Sequence, residues 1–317
     1  MAIPSPNAWG AIVEQPTRSW EEVLPEEDRQ GGASPWGNSK YSVAEQCLYK
    51  YWVKFVRRMK PAVTGMPLQV GGLLHEARAR YYNEYVRIDE EDPEGTEWTQ
   101  EATDEACLKA LWSIVHEARK IVPDIANEVA RLLDAWILVA GPGTASDDRH
   151  ETILVEELLE VKRPFPYSAR IDRVIWSDEY DGPVIKEIKT SAARFKDLLS
   201  GYRNDPQFLG QWYLWENSKW FDVYGPLKAF AVDLIIKSKV VDVFTEIVPL
   251  GEANIEDWLR SRQQVYEDIR FFTINEFWPK RRSNCVMYGR RCGLHNHCVA
   301  LKDDFFPGWV EKEGGEF

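Results

Sequence analysis

Residues 168–191 read SARIDRVIWSDEYDGPVIKEIKTS. Two short runs rich in β-branched residues, SARIDRVIW and GPVIKEIKTS, flank the turn-forming SDEYDG. A third run, ETILVEELLEV at 151–161, precedes them across RPFPY. Runs of this length separated by turn chemistry predict an antiparallel three-strand meander. Glu187 and Lys189 stand two apart in the last run, so a strand projects both from one face. Asp172 lies 15 residues before Glu187, in the preceding strand, and a meander sets it beside that face. Two carboxylates converging with a lysine make a hard-oxygen site suited to Mg²⁺ or Mn²⁺. The ammonium can then orient a water and stabilise negative charge on a phosphoryl centre, so phosphodiester hydrolysis is the natural chemistry. The pattern is weak when it stands alone. Asp148 with Glu160 and Lys162 satisfies it too, and an amphipathic strand can carry such charges as a salt-bridge face.

Working outward, Ser42 followed by Glu45 forms a capping-box pattern, and Val43, Cys47, Leu48, Tyr51, Trp52, Phe55 and Val56 then recur at helical spacing. Further helices are expected at about 70–86, 103–121 and 124–139, the last two divided by Pro123. Downstream of the meander, a helix is expected at about 205–217, strands near 228–237 and 240–249, and a helix at about 254–272. The expectation is an α/β (α+β) domain with a mixed central sheet flanked by helices. Residues 1–40 read as an extended arm. GGASPWGNSK at 31–40 has the glycine spacing of a phosphate loop but no Lys where the ammonium must reach the phosphates, which excludes an ATPase.

With 317 residues, 44% of them hydrophobic and 28% charged, the chain can bury a core and is no disordered polymer. No stretch reaches the roughly 18 apolar residues of a membrane span, and MAIPSPNAWGAIVEQPTRSW lacks a basic start and an apolar core, so a cytoplasmic protein is expected. Net charge is −12, which speaks against a nucleic-acid partner. Residues 89–105, however, hold nine acidic side chains and no basic one, and the other 300 residues carry only −3. Residues 50–60 and 280–291 each carry five Lys or Arg and no acid.

Three more residues fit the carboxylate–lysine site. His75, in GGLLHEARARYY, sits near a predicted helix start where two glycines permit close approach, and it would face the sheet as an added metal ligand. Gln207 and Gln211 are spaced i, i+4 on one helical face, within reach of nucleic-acid backbone or of the lysine strand. Cys285, Cys292 and Cys298 lie in a polar loop with six and then five residues between them, unlike Cys107, whose apolar run EACLKALW marks it as core. With Cys47 they offer four thiolates, which can ligate Zn²⁺ or an iron–sulfur cluster; His295 or His297 could substitute at a zinc site. A centre joining Cys47 to residues 285–298 brings Lys50, Lys54, Arg57, Arg58 and Lys60 near Lys280, Arg281, Arg282, Arg290 and Arg291, a phosphate-backbone footprint. Tyr51, Trp52, Trp278 and Tyr288 could stack bases there, although core packing explains most such aromatics.

The ordered series Ser42…Cys47, Gly72-x-x-His75, Ile171-Asp172-Arg173, Glu187-Ile188-Lys189-Thr190, Gln207 and a C-terminal cysteine trio resembles the RecB-type branch of the PD-(D/E)xK nucleases, including CRISPR-adaptation exonucleases and phage-encoded relatives. The resemblance covers about 41–300. It implies a restriction-endonuclease-like core at 150–272, a helical part at 41–140 and a cysteine loop at 277–300; residues 301–317 beyond it read as an acidic tail. It further implies His75, Asp172, Glu187 and the Ile188 carbonyl as ligands of one or two Mg²⁺ or Mn²⁺ ions, Lys189 as the catalytic lysine, Gln207 as the family's helix glutamine, and a [4Fe–4S] cluster on Cys47, Cys285, Cys292 and Cys298. Its implied activity is that of an exonuclease on single-stranded DNA or duplex ends, in recombination, repair or phage- or CRISPR-type processing, with partner proteins of those processes. Ile171 replaces the proline that names the superfamily, and Gln211 stands where the family often has Tyr. A protein of another class, a catalytically silent nucleic-acid-binding scaffold with the same fold, is the alternative.

Overall fold

The computed structural model describes residues 36–62, 65–144, 146, 148–191, 202, 205–249, 252–287, 290–300, 306 and 308–311. Most of the expected N-terminal arm and acidic tail lies outside them. The chain divides into two compact units, residues 63–259 and the paired segments 1–62 and 260–317.

Unit 63–259 starts with helices α1 (Met66–Glu91), α2 (Gln100–Arg119) and α3 (Pro123–Ala140). Thr99 caps α2 by accepting the Ala102 N–H, and Pro123 opens α3 at a position where no N–H is needed. Leu74 and Tyr81 of α1, Leu111 of α2, and Leu132, Leu133 and Trp136 of α3 are fully buried and pack in one cluster with Ile188 and Ile235 of the sheet. The meander follows as β1 (Thr152–Val161), β2 (Tyr167–Ser177) and β3 (Gly182–Ser191), antiparallel throughout as the sequence predicts. The chain then runs through α4 (Pro206–Glu216) and α5 (Lys219–Tyr224) to β4 (Ala229–Ile236), which pairs parallel to β3, and β5 (Asp242–Pro249) closes the sheet antiparallel to β4. A parallel pair needs such a crossover, and its central strand is buried on both faces: all eight residues of β4, AFAVDLII, are buried. The described residues thus form a five-stranded mixed sheet flanked by helices, as expected.

Gly71 and Gly72 correct one expectation. They lie inside α1, not at its start, and a Cβ on either would meet nothing within 4 Å, so close approach does not explain them. The close approach occurs at Gly210 of α4, where a Cβ would fall 2.1 Å from the Tyr167 hydroxyl of β2.

In the other unit the first described helix spans Asn38–Gln46 and begins after Gly37, four residues before the predicted start. Ser42 is interior and donates to Asn38 Oδ1 at 3.3 Å, so it caps nothing. Extended backbone at Cys47 (φ −170°, ψ 115°) breaks the helix, which resumes over Leu48–Tyr51 and ends in a π-helical turn at Trp52–Val56. Strand Met59–Pro61 pairs antiparallel with Trp309–Glu311. Among the described residues no helix is long and apolar enough to cross a membrane.

Candidate active site

The β2–β3 ladder is in register from Ser177–Gly182 to Arg173–Lys186. One step beyond, the Asp172 carboxylate intrudes and its Oδ2 accepts the Ile188 N–H at 3.2 Å. Glu187 and Lys189 then project together from β3, with Lys189 Nζ donating to Glu187 Oε2 at 2.9 Å. Asp205 caps α4 by accepting the Gln207 N–H, and Gly210 lets the helix press on β2. Gln207 and Gln211 are thereby aimed at the same carboxylate. Gln207 Oε1 accepts from Lys189 Nζ at 2.9 Å while its Nε2 donates to Glu187 Oε2 at 2.9 Å, and Gln211 Nε2 donates to Glu187 Oε1. From α1, His75 Nδ1 approaches Asp172 Oδ2 to 3.0 Å.

The sequence-derived residues therefore meet, in two groups. Glu187, 1% exposed, is held by Lys189, Gln207 and Gln211. Asp172 is held by His75 and the Ile188 amide. A third carboxylate, absent from the sequence reading, joins the second group: oxygens of Glu156 and Asp172 and a ring nitrogen of His75 all lie within 4.8 Å of one another. Glu156 was detectable in principle. A hairpin turning at RPFPY, centred near residue 164, sets Glu156 across from Asp172, and the doublet Glu156–Glu157 guarantees an acid on that face.

Burial and mutual repulsion divide the carboxylates. Burial, then the Asp172 charge, raises the Glu187 pKa against the pull of Lys189 and Gln211. Burial works to raise Asp172 too, but the hydrogen bond and charge of His75, Lys189 and the Ile188 N–H together lower it. Burial and Asp172 push Glu156 up to about 7, opposed by His75 and Arg170. Burial disfavours the His75 cation, yet its hydrogen bond to Asp172 and the nearby carboxylates raise its pKa overall. Lys189 is likewise raised, Glu187 outweighing burial. Two carboxylates, Glu156 and Asp172, and the His75 imidazole line a water-sized cavity of about 20 Å³ together with Ile188, Arg78, Arg173 and Lys186, and these three acidic and imidazole side chains are a donor set matched to a divalent cation of the Mg²⁺ or Mn²⁺ type.

Behind this site lies a buried ionic network. Arg173 Nη2 donates to Asp148 Oδ1 at 2.7 Å, and Lys186 Nζ donates to Asp148 Oδ2 and approaches Asp233 Oδ1 to 3.5 Å. Asp233 also accepts from Arg78 at 2.6 Å and Thr245 at 2.8 Å. The competing pattern Asp148–Glu160–Lys162 forms no site: Asp148 is committed here, while Glu160 and Lys162 are exposed.

In the other unit, Cys47, Cys285, Cys292 and Cys298 are half-buried. Cys47, Cys292 and Cys298 pack against one apolar cluster around Tyr49, Val53, Met59, Leu294 and Phe306. The Cys292 N–H donates to the Cys285 carbonyl at 2.8 Å. Burial raises the Cys298 thiol, with the nearby Cys292, Cys47 and Cys285 adding to the shift and Lys280 opposing it. His297 is buried, its Nε2 paired with the Tyr49 hydroxyl and its ring stacked on Tyr49 and Phe306, which commits it to packing. Cys107 is fully buried in the α1–α3 cluster, and its thiol is pushed up to about 11 by burial. The basic segment 280–291 contacts the helix just ahead of the segment 50–60: Arg281 Nη1 donates to the Glu45 carbonyl at 2.6 Å, and Lys280 lies 4.4 Å from the Tyr49 ring. Tyr51 is 1% exposed and stacks on Trp278, so this pair is core; Tyr288 lies outside the described residues.

Residues 35–299 match the model of the PD-(D/E)XK nuclease superfamily. The chain belongs to that superfamily, and its class is that of a nuclease. Among solved structures it is similar to a candidate exonuclease from Eubacterium rectale, at 13% identity and a TM-score of 0.46, over 86% of this chain and 90% of that one. It is also similar to the protein SSO0001, at 15% identity and a TM-score of 0.27, over 70% and 85% of the respective chains. No curated protein sequence matches it.

Proposed function

We propose that this chain is a metal-dependent deoxyribonuclease that works as an exonuclease on single strands or duplex ends. The observation that carries the reading is Lys189 Nζ, held 2.9 Å from both Glu187 Oε2 and Gln207 Oε1 on the strand next to Asp172, in a chain of the PD-(D/E)XK superfamily. His75, Asp172, Glu187 and the Ile188 carbonyl would hold one or two Mg²⁺ or Mn²⁺ ions. Such an ion, when bound, polarises a phosphoryl oxygen and makes water a better nucleophile. Lys189 would point an N–H at that water or at a non-bridging oxygen and stabilise charge as the water oxygen bonds to phosphorus, loses its proton to solvent, and the opposite ester bond breaks. The leaving oxygen takes its proton from solvent. Gln207 and Gln211 fix the Glu187 carboxylate so that Lys189 and the ligands keep their geometry.

DNA is the proposed substrate, bound in part through Lys and Arg of residues 50–60 and 280–291, a reading supported by the contacts of Arg281 and Lys280 with Glu45 and Tyr49 just ahead of the first segment. Cys47, Cys285, Cys292 and Cys298 are the proposed ligands of a [4Fe–4S] cluster, the neighbouring soft thiolates being the right donors for iron–sulfur or zinc. Recombination, repair or phage- or CRISPR-type processing in the cytoplasm is the setting that goes with this activity. The test is digestion of labelled DNA with Mg²⁺ or Mn²⁺ by wild type, Lys189→Ala and Asp172→Asn. Loss of one well-placed charge stabiliser costs about 10²- to 10³-fold in rate. Undiminished cleavage by either folded variant rejects the assignment.

A further inference from the structure

The strand pairs Val155–Arg173 and Glu157–Ile171 bracket Glu156 and leave it directly across from Asp172. Glu156 is also the one residue of β1 with left-handed backbone, at φ 53°. Both features work against the fold. Like charges face to face across an antiparallel pair repel, and a non-glycine residue in the left-handed region within a strand is strained. The chain nevertheless stabilises this arrangement with a dedicated contact, Arg170 Nη1 donating to the Glu156 carbonyl at 3.0 Å. That hydrogen bond secures the peptide, whereas the Glu156 carboxylate itself is only 3.8 Å from the Arg170 guanidinium, too far for a hydrogen bond. On its other side the carboxylate converges with Asp172 and His75, within 4.8 Å. A carboxylate only loosely paired with Arg170 and converging with a second carboxylate and an imidazole has the placement of a ligand.

We propose that Glu156 is a further side-chain ligand of the divalent cation, outside the set His75, Asp172, Glu187 and Ile188. This rests on the reading of the Asp172 site as a metal site. Glu156 adds a second carboxylate beside Asp172 and His75. A His nitrogen with two carboxylate oxygens suits Mn²⁺ better than Mg²⁺, because imidazole is the softer donor.

The experiment is titration of the full-length protein with Mn²⁺ alone, following free Mn²⁺ by electron paramagnetic resonance. Wild type is compared with Glu156→Gln, Glu156→Asp and Asp172→Asn, and the metal-free melting temperature of each is recorded. Glu156→Gln keeps the side chain's size and removes the repulsion, so its metal-free melting temperature is expected not to fall while Mn²⁺ affinity drops about tenfold or more. Glu156→Asp keeps a carboxylate and recovers part of that affinity, which a folding defect would not. Affinity within twofold of wild type in Glu156→Gln, with binding lost in Asp172→Asn, overturns the role of Glu156 alone. Unchanged binding in Asp172→Asn as well overturns the metal site with it. A lower metal-free melting temperature at unchanged affinity makes Glu156 a structural partner of Arg170 and likewise overturns the proposal.

Discussion

Replacing Asp148 by Asn tests whether the ionic network holds up the catalytic sheet. Five charges share it: the cations Arg78, Arg173 and Lys186 and the anions Asp148 and Asp233. The side chains of Arg173 and Lys186 are 3% and 9% exposed, so water screens them little. Asp148→Asn leaves three buried cations facing one carboxylate. Removing one member of a buried pair costs about 3–5 kcal/mol, and because Asn retains one acceptor oxygen the lower end, about 3 kcal/mol, applies. At about 2–4 °C per kcal/mol for a unit of this size, the melting temperature should fall by roughly 6–12 °C at pH 7. Thermal unfolding followed by near-ultraviolet circular dichroism reads this directly. The pH dependence gives a second check. Burial opposes ionisation of Asp148 and Asp233, but the surrounding Arg and Lys charges hold both carboxyls below their ordinary value. Groups depressed in the folded state contribute fully above the unfolded carboxylate pKa of about 4, and the contribution disappears as pH falls through the folded value. The gap between wild type and Asp148→Asn should therefore be constant from pH 7 to about 5 and narrow below about 4. A shift under about 2 °C at pH 7, or a gap that widens in acid, refutes the reasoning.

Gly210→Ala drives a methyl against the Tyr167 hydroxyl and ring, with no room on the strand side. It should destabilise the protein by about 1–3 kcal/mol in urea unfolding and lower activity by displacing Gln207 and Gln211, whereas a neutral result would mean that α4 does not depend on this contact. Protein purified without oxygen should be brown, with a broad visible absorption band that Cys292→Ser removes; a colourless protein with about one zinc would replace the cluster with a zinc site.

The strands were legible because their residue types alternate between turn signals, and SARIDRVIW and GPVIKEIKTS occur where those signals set them. Asp172, Glu187 and Lys189 were legible as a spacing, but so was the decoy Asp148–Glu160–Lys162. Only burial separates them: Glu187 is 1% exposed, while Lys162 points to solvent. Ser42 and Glu45 looked like a helix start because the pattern carries no record of Gly37 and Asn38, where the helix begins. The break at Cys47 and the left-handed backbone of Glu156 are conformations that ordinary residue types do not advertise. Gly210 carries no sign of its role in the sequence, since only the Tyr167 ring across from it explains a missing side chain.

The most direct measurement is a digestion of end-labelled linear and closed circular DNA, single- and double-stranded, by purified wild type and Lys189→Ala, with Mg²⁺, with Mn²⁺ and with chelator. Wild type should shorten linear strands from their ends only when the ion is present, leave circles intact, and lose that activity in Lys189→Ala. Degradation that persists in chelator, or in the variant, would contradict hydrolysis at the Asp172–Glu187–Lys189 site, and cutting of circles would replace the exonuclease with an endonuclease.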